Sequence, residues 1–236
     1  DRILHARNRT LQAQGPIHTT VRRDLAPLTL HQLLVVQDPL ECRGNGNPSN
    51  RDLARRFVRW TGFENLAQEI SGVVTKVCDV SNVGDIEQTV NACITALGGL
   101  DVLVNNAGIE RHNSVEETSM ADFKAVMETN YFGVLRCIKA VLPQMRKDLN
   151  GCIINITSVA GKIACTPLGC YTASKYALEA ISEALAQEVK PFNIRVAIVE
   201  PGIINTKMAR DITHGGDSIY PQVNRFGGLF AASLKT

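Results

Sequence analysis

The sequence predicts an α/β protein built on a parallel sheet, and three observations support this prediction. From Phe63 onward, short β-branched runs alternate with segments of helical periodicity, which is the pattern of repeated βα units. Polar or glycine-containing residues follow the strand-like runs, where an open parallel sheet has its ligand crevice. The length of 236 residues fits one such domain with a sizeable core.

The predicted elements follow in order from local sequence. Ser81 is predicted to cap the first helix, whose first turn carries Asp85 and Glu87, where negative charge suits the helix dipole. Pro191 stops the last helix. The strands, predicted from apolar β-branched runs, are residues 72–78, 101–104, 151–156 and 194–199. The helices, predicted from their apolar period, are residues 84–97, 120–147 with a break at 130–133, and 172–189.

The composition excludes several classes of protein. With 44% hydrophobic and 20% charged residues, the chain is neither disordered, nor collagen-like, nor a heptad repeat. A net charge of +2 gives no chain-wide basic surface, so neither nucleic acid nor a membrane is expected as a partner. The longest apolar runs fall far below the roughly 18 to 20 residues that a spanning helix needs.

Cysteine and histidine usage bears on location and metal binding. The seven cysteines include no C-x-x-C pair, and the chain does not start with a secretory signal pattern, so we expect reduced thiols and a cytoplasmic location. Cys137 and Cys152 are interpreted as core residues, and His112 as a solvated loop residue in preference to a substrate contact. The histidines lack metal-ligand spacing, so no metal site is expected.

Residues 1–62 differ from the remainder of the chain. They hold ten arginines, no lysine and five acidic residues, and they include four of the nine prolines. Leu33–Val36 is their one strand-like run. We therefore predict two parts, an atypical N-terminal segment over residues 1–62 and the α/β domain over residues 63–236, which we expect to be truncated at its C-terminal end.

Candidate catalytic residues lie beyond the ends of the predicted strands. Tyr171 and Lys175 are four residues apart at the start of a helix, so their side chains share one face. A neighbouring ammonium favours the phenolate and lowers the pKa of a tyrosine, which predicts that Tyr171 is an acid or base near neutral pH. Ser158 can donate a hydrogen bond to an oxygen that gains negative charge. Taken singly, these residues are as well explained by a helix surface and a helix cap.

The combination of motifs is more specific than its parts. N-N-A-G at residues 105–108, Asn130, Ser158, Tyr171-x-x-x-Lys175 and P-G-x-x-x-T at residues 201–206 together resemble the short-chain dehydrogenase/reductase family. The interval of 13 residues from the serine to the tyrosine is also usual for that family. The resemblance covers residues 63–236. It implies a Rossmann-type doubly wound sheet in three α/β/α layers and an NAD(P)-dependent oxidoreductase acting on a carbonyl or secondary alcohol.

The resemblance also implies residue roles. Tyr171 would be the general acid/base, Lys175 would hold the nicotinamide ribose and lower the tyrosine pKa, Ser158 would polarise the substrate carbonyl, and Asn130 would anchor a water in the proton relay. The implied cofactor-binding residues are Asp79, Val80, Asn105, Ala107, Gly108, Tyr171, Lys175, Pro201, Gly202 and Thr206. A small carbonyl or alcohol substrate and a homodimer or homotetramer are the partners that the resemblance implies.

One family motif is missing. The opening T-G-x-x-x-G-x-G loop has no counterpart, and the nearest candidate, Leu33–Val36 followed by Gly44-Asn45-Gly46, has the wrong glycine spacing and carries Pro48. The first βαβ unit is therefore predicted to be degenerate or missing, and the choice between NAD and NADP stays open. Residues 1–62 are either translated out of frame or a basic, disordered extension. The alternative to an active oxidoreductase is a catalytically impaired relative or a binding module without the phosphate loop.

Overall fold

A parallel sheet forms the centre of the computed structural model, which describes residues 5–6, 33–36, 78–202 and 218–225. Within these residues the strands are β1 (His5–Ala6), β2 (Leu33–Val36), β3 (Val102–Asn105), β4 (Gly151–Ile156) and β5 (Ile194–Val199). Their spatial order is β1-β5-β4-β3-β2, and every neighbouring pair is parallel. The prediction of a parallel α/β sheet is confirmed, and the bounds of β4 and β5 agree with those predicted.

The helices cover this sheet as one connected layer. They are α1 (Val83–Leu97), α2 (Met120–Met127), α3 (Val134–Asp148) and α4 (Gly169–Val189). A π-helical segment, Glu128–Gly133, joins α2 to α3, so the predicted break in the long helix is a change of helical pitch. The pairs α1 with α3 and α2 with α4 are in contact. Within the described ranges, no helix is both long and apolar enough to cross a bilayer.

The core lies between the sheet and these helices. Leu103 on β3, Ile153 on β4 and Ile198 on β5 are fully buried, and so are Met145 on α3 and Leu178 on α4. Burying such side chains contributes about 1.5 to 3 kcal/mol each, which makes this interface the main support of the described fold. The predicted core cysteines are buried as well; they are Cys137 and Cys152.

A ladder of polar side chains connects the sheet to α4 within this core. Asn105 and Asn155 are register partners on β3 and β4, and the Nδ2 of Asn105 donates to the Oδ1 of Asn155 at 2.8 Å. Asn155 donates in turn to the Oγ of Ser182 on α4 at 2.8 Å. Because a buried amide without a partner is costly, this ladder fixes the register of the two strands against the helix.

The cap of α1 differs from the prediction. Asn82, not Ser81, caps the helix, and its side chain accepts from the backbone N–H groups of Gly84 and Asp85. Ser81 instead donates to Asp79, through its backbone N–H at 2.8 Å and its hydroxyl at 2.7 Å. The reason is competition between adjacent polar residues, since the Asp79 carboxylate already takes the serine hydroxyl. This arrangement fixes the turn that carries Asp79.

The N-terminal segment contributes a strand beside β3. Leu33–Val36 pairs with β3 in parallel, from Leu33 opposite Val102 to Val36 opposite Asn105. In a doubly wound sheet this is the position of the first strand. The first βαβ unit is predicted to be degenerate or missing, and β2 occupies the place of its first strand. The connection that follows β2, residues 37–77, lies outside the described residues. Of the strand predicted over 72–78, only Cys78 is described, and it is not in a strand.

Gly133 gives a first prediction about packing. In an exposed helix, alanine is about 1 kcal/mol more favourable than glycine. Here a Cβ at position 133 would lie 2.8 Å from Cγ2 and 3.0 Å from Cβ of Val80. Because a β-branched side chain cannot swing away from this contact, we expect Gly133→Ala to destabilise the fold by about 1 to 3 kcal/mol, measured by urea unfolding. An increase in stability would contradict this packing. Gly84→Ala, whose Cβ would lie 3.4 Å from the Oδ1 of Asn82, serves as the control.

Candidate active site

Three strand ends and one helix converge on the candidate site. β3 ends in the N-N-A-G segment, β4 leads into Ser158, and β5 leads into Pro201 and Gly202. Two backbone hydrogen bonds join the last two strand ends, from Thr157 N–H to Val199 O at 2.8 Å and from Val159 N–H to Pro201 O at 3.0 Å. α4 supplies Tyr171 and Lys175 from its first two turns. The described site residues therefore meet at the carboxyl edge of the sheet, as predicted.

Lys175 is buried beside Tyr171. Its side chain is 4% exposed, and its Nζ donates to the Ile156 carbonyl at 3.0 Å and lies 5.5 Å from the centroid of the Tyr171 ring. Burial lowers the pKa of Lys175 to about 8, while the carboxylates of Glu110 and Glu179 act in the opposite direction. An amine with this pKa can gain or lose a proton close to neutral pH.

The pKa of Tyr171 departs from the expectation that the lysine lowers it. Burial raises the pKa of Tyr171 to about 12, a side-chain hydrogen bond with Ser158 lowers it, and the negative charge of Glu110 raises it further. The expectation was wrong because desolvation of the phenolate, together with the charge of Glu110, outweighs the lowering by the Ser158 hydrogen bond. The Tyr171 phenol is therefore protonated at neutral pH in this structure.

Ser158 is held in place by the turn that it begins. It caps the short 3-10 helix Val159–Gly161, and its Oγ accepts from the Ala160 N–H at 3.1 Å. The same hydroxyl forms the side-chain hydrogen bond with Tyr171 that lowers the tyrosine pKa. The hydroxyls of Ser158, which follows β4, and of Tyr171 on α4 are therefore adjacent. This arrangement suits binding one substrate oxygen.

Asn130, in the π-helical segment, connects the loop after β3 to α4. It is fully buried, its Oδ1 accepts from the Ile109 N–H at 2.8 Å, and its Nδ2 donates to the Ile109 carbonyl at 2.8 Å and to the Oγ of Ser174 at 2.9 Å. Ser174 donates to the Tyr171 carbonyl at 2.7 Å. A Cβ at Gly108 would lie 3.5 Å from the Asn130 Oδ1 and 3.6 Å from the Lys175 Nζ. Asn130 thus lies at the junction between the N-N-A-G segment and α4.

The loop after β3 adds a carboxylate that the motifs did not indicate. Glu110 raises the pKa of both Tyr171 and Lys175 through its charge. Its Oε2 lies 3.3 Å from Nε2 of His112, whose side chain is only 9% exposed. The interpretation of His112 as a solvated residue was wrong, because this contact with Glu110 and the surrounding loop cover the imidazole. An acidic residue two positions after Gly108 was the only signal for Glu110 in the sequence.

Among the residues implied for the cofactor, Lys175 suits the nicotinamide ribose. An ammonium has three donors, and Lys175 directs one of them to Ile156, so the donor set suits ribose hydroxyls on the other side. Val80 is buried against Gly133, next to Asp79. Ala107 is buried, and the Pro201 and Gly202 backbone lies beside the turn of Ser158. Thr206 lies outside the described residues.

A cleft adjoins the start of α4. It has a volume of about 560 Å³ and is lined by Ser114, Val115, Glu116, Thr166, Tyr220, Gln222 and Val223. Val115 packs against α4 at Gly169, two residues before Tyr171. Val115 and Ile219 are strongly exposed for apolar side chains. Val115 thus gives the lining of this cleft an exposed apolar side chain close to the start of α4.

Glu117 joins the two walls of this cleft. Its carboxylate accepts from the Ser114 hydroxyl at 2.5 Å, the Ser218 hydroxyl at 2.7 Å and the Ile219 N–H at 3.0 Å. The hydrogen bonds from Ser114 and Ser218 are the main causes that lower the pKa of Glu117. The attachment is therefore complete above the ordinary pKa of a glutamate and is lost as the pH falls through the lowered value. Tyr220 donates a further hydrogen bond to Glu116.

We expect Glu117→Gln to loosen residues 218–225. A neutral amide accepts weaker hydrogen bonds than a carboxylate, so hydrogen exchange at the Ile219 amide should become roughly fivefold faster at pH 7. Glu87→Gln removes a charge from an exposed position on α1 and is the matched control. Equal exchange rates in the two variants and the parent chain would show that Glu117 does not hold this segment.

Comparisons with known proteins agree with this geometry. Residues 59–216 match the family described as short chain dehydrogenase. A 3-ketodihydrosphingosine reductase of Bacteroides thetaiotaomicron is 44% identical over 140 residues, which are 59% of this chain and 52% of that protein. The Dehydrogenase/reductase SDR family member 7B of Xenopus tropicalis is 35% identical over 169 residues, or 67% of this chain and 55% of that protein. The chain spans a little over half the length of these relatives.

Solved structures of similar fold include a short-chain dehydrogenase. A short-chain dehydrogenase from Streptomyces avermitilis superposes with a TM-score of 0.59 at 36% identity, covering 60% of this chain and 54% of that one. ElxO with NADP bound has a TM-score of 0.58 at 29% identity, covering 61% and 60% of the two chains. These likenesses show a Rossmann-like α/β fold. On the match over residues 59–216 and the motifs gathered at the sheet edge, the chain belongs to the short-chain dehydrogenase family.

Proposed function

We propose that this chain transfers a hydride between a nicotinamide cofactor and a carbonyl or secondary alcohol substrate. The observation that carries the proposal is the juxtaposition of Ser158, Tyr171 and Lys175 at the carboxyl edge of the sheet, with Asn130 behind them. Relatives that are named reductases and oxidoreductases support it. The bound NADP in ElxO supports NAD(P) as the cofactor, without deciding between its two forms.

Side chains of this chain would donate the proton to the substrate and replace it afterwards. In the direction of reduction, the hydroxyls of Ser158 and Tyr171 donate hydrogen bonds to the carbonyl oxygen as negative charge develops on it. Tyr171 then gives its proton to that oxygen, since burial keeps the phenol protonated at neutral pH. The Lys175 ammonium beside the ring stabilises the resulting phenolate and can return a proton because its pKa is about 8.

The cofactor would supply the hydride, and Lys175 and Tyr171 would hold its nicotinamide ribose. Asp79 and Val80 would contact the adenine, and the N-N-A-G segment the ribose next to it. Pro201, Gly202 and Thr206 would contact the carboxamide. Asn130 would act behind Tyr171, where its hydrogen bonds join the Ile109 backbone to the Ser174 hydroxyl on α4, and it would anchor a water in the proton relay.

The substrate would place an apolar portion in the cleft beside α4. The apolar side chains in the lining, Val115 and Val223, favour a hydrophobic chain over a sugar or another strongly hydrated molecule. The relative from Bacteroides thetaiotaomicron, a 3-ketodihydrosphingosine reductase, agrees with a ketone as the reacting group. We therefore propose ketones with an aliphatic chain as the first substrates to test.

The experiment measures cofactor oxidation by the purified chain. NADH and NADPH are each mixed with short-chain and long-chain aliphatic ketones, and absorbance at the reduced nicotinamide band is followed. We expect turnover that depends on the ketone and is faster for the longer chains. Absence of turnover with every ketone would instead favour the second candidate, a catalytically impaired relative or binding module, which the absence of the T-G-x-x-x-G-x-G motif supports. A cytoplasmic location and a homodimer or homotetramer stay predictions.

A further inference from the structure

Lys162 lies among three carboxylates at the end of the serine turn, residues 158–162. Its Nζ is 2.9 Å from Oε2 of Glu179, 3.5 Å from Oε1 of Glu183 and 3.8 Å from Oε1 of Glu200. The side chains of Glu179 and Glu200 are 5% and 12% exposed, whereas that of Glu183 is 42% exposed. The Lys162 side chain is 39% exposed, so the pairs with the two shielded carboxylates are the ones able to constrain the structure, whereas the pair with Glu183 is exposed at both ends and contributes little.

The two shielded carboxylates belong to the other two segments of the site. Glu179 lies on α4, one helical turn beyond Lys175 and two beyond Tyr171. Glu200 follows β5 and immediately precedes the Pro-Gly pair. Lys162 itself follows the turn that begins with the catalytic serine. One ammonium thus connects the three segments that carry the serine, the tyrosine and lysine, and the residues assigned to the nicotinamide carboxamide.

The serine turn packs closely against both neighbours. A Cβ at Gly161 would lie 3.0 Å from Cγ of Glu179 and 3.3 Å from the Lys175 carbonyl oxygen, so the turn touches the backbone of α4. On the other side, the Val159 N–H donates to the Pro201 carbonyl at 3.0 Å. The turn therefore has little free space on the side of α4 and is hydrogen-bonded on the other side. A small displacement of the turn would move the serine hydroxyl relative to the helix.

We propose that Lys162 is a positioning residue, whose ion pairs with Glu179 and Glu200 hold the serine turn so that the hydroxyls of Ser158 and Tyr171 reach one substrate oxygen. The inference rests on the proposed function, in which both hydroxyls act on the carbonyl. It assigns Lys162 no contact with substrate or cofactor. Its effect is on the alignment of groups that react, and therefore on kcat more than on cofactor affinity.

The test compares three single variants. Lys162→Met removes the charge at similar length, and we expect kcat to fall roughly tenfold to hundredfold, with the Kd for NADH or NADPH unchanged. Lys162→Arg keeps the cation and should restore kcat to near the parent value. Glu183→Gln, which removes the exposed partner, should leave kcat as it is. The proposal is overturned if Lys162→Met keeps the parent kcat, or if Lys162→Arg is as impaired as Lys162→Met.

A double variant separates alignment from the cost of an unpaired charge. Removing Lys162 leaves Glu179 buried without its cation, which by itself destabilises a fold. Lys162→Met combined with Glu179→Gln removes both charges, so it should recover thermal stability while kcat stays low. Recovery of kcat together with stability would overturn the proposal, since the lysine would then only neutralise the glutamate.

A measurement that needs no turnover separates this inference from the proposed function. We expect the Val159 and Ala160 amides, which donate to Pro201 and Ser158, to exchange hydrogen faster in Lys162→Met but not in Glu183→Gln. If the parent chain reduces no ketone, the proposed function fails, and exchange still decides whether Lys162 holds the turn. Unchanged exchange in Lys162→Met overturns the positioning role whatever the activity.

Discussion

Tyr171→Phe is expected to lower kcat by roughly 100-fold to 10,000-fold, because it removes the proton donor and leaves the ring in place. The phenyl ring still fills the space beside Lys175, whose Nζ lies 5.5 Å from the ring centroid. The free energy of unfolding should therefore change little. Steady-state cofactor oxidation with an aliphatic ketone, together with a urea unfolding curve, measures both effects.

Tyr176→Phe is the matched control for this variant. Tyr176 lies on the same helix five residues later, its side chain is 42% exposed, and it takes no part in the site. Its loss of a hydroxyl should leave kcat at the parent value. Turnover that is equal in both variants would contradict the assignment of Tyr171 and would favour a binding module over an enzyme.

Asn130→Ala is expected to reduce the free energy of unfolding by about 3 kcal/mol or more. The change leaves the N–H and the carbonyl of Ile109 and the hydroxyl of Ser174 without the partner that each has at 2.8 to 2.9 Å. Each buried polar group left unsatisfied costs about 1 to 3 kcal/mol. Activity should fall as well, since Ser174 also binds the Tyr171 carbonyl. Urea unfolding followed by circular dichroism measures the stability change.

Asn150→Ala tests whether burial is the reason. Asn150 is exposed and its side chain donates one hydrogen bond, to Asp101 at 3.2 Å. Exposed positions of this kind change stability by about 0.5 kcal/mol or less. A loss for Asn130→Ala that is no larger than the loss for Asn150→Ala would mean that the buried network does not support the fold.

The elements that the sequence predicted well are those with strong local signals. The runs at residues 151–156 and 194–199 are short, apolar and bounded by polar residues, and β4 and β5 have the same bounds. The break in the long helix was also predicted, though not that Asn130 lies in a π-helical segment. The motifs also predicted that Ser158, Tyr171 and Lys175 lie close together, because Ser158 follows the end of a strand and the other two residues lie in the first turns of a helix.

The features that the sequence did not predict depend on contacts between distant segments. Glu117 binds Ser218 across a separation of 101 residues, and no local pattern indicates such a pair. The raised pKa of Tyr171 results from burial by several elements, which the spacing to Lys175 does not reveal. Even the cap of α1 depended on competition, since Asp79 takes the hydroxyl of Ser81 and leaves the cap to Asn82.

Transfer of deuterium in a single turnover tests the proposed reaction most directly. Excess chain is mixed with NADH or NADPH that carries deuterium at the transferred position, and an aliphatic ketone is added. We expect the product alcohol to carry one deuterium at the former carbonyl carbon with the parent chain, and none in the same time with Tyr171→Phe. A cofactor that binds but leaves every ketone unlabelled would contradict the proposal that these residues form a working active site.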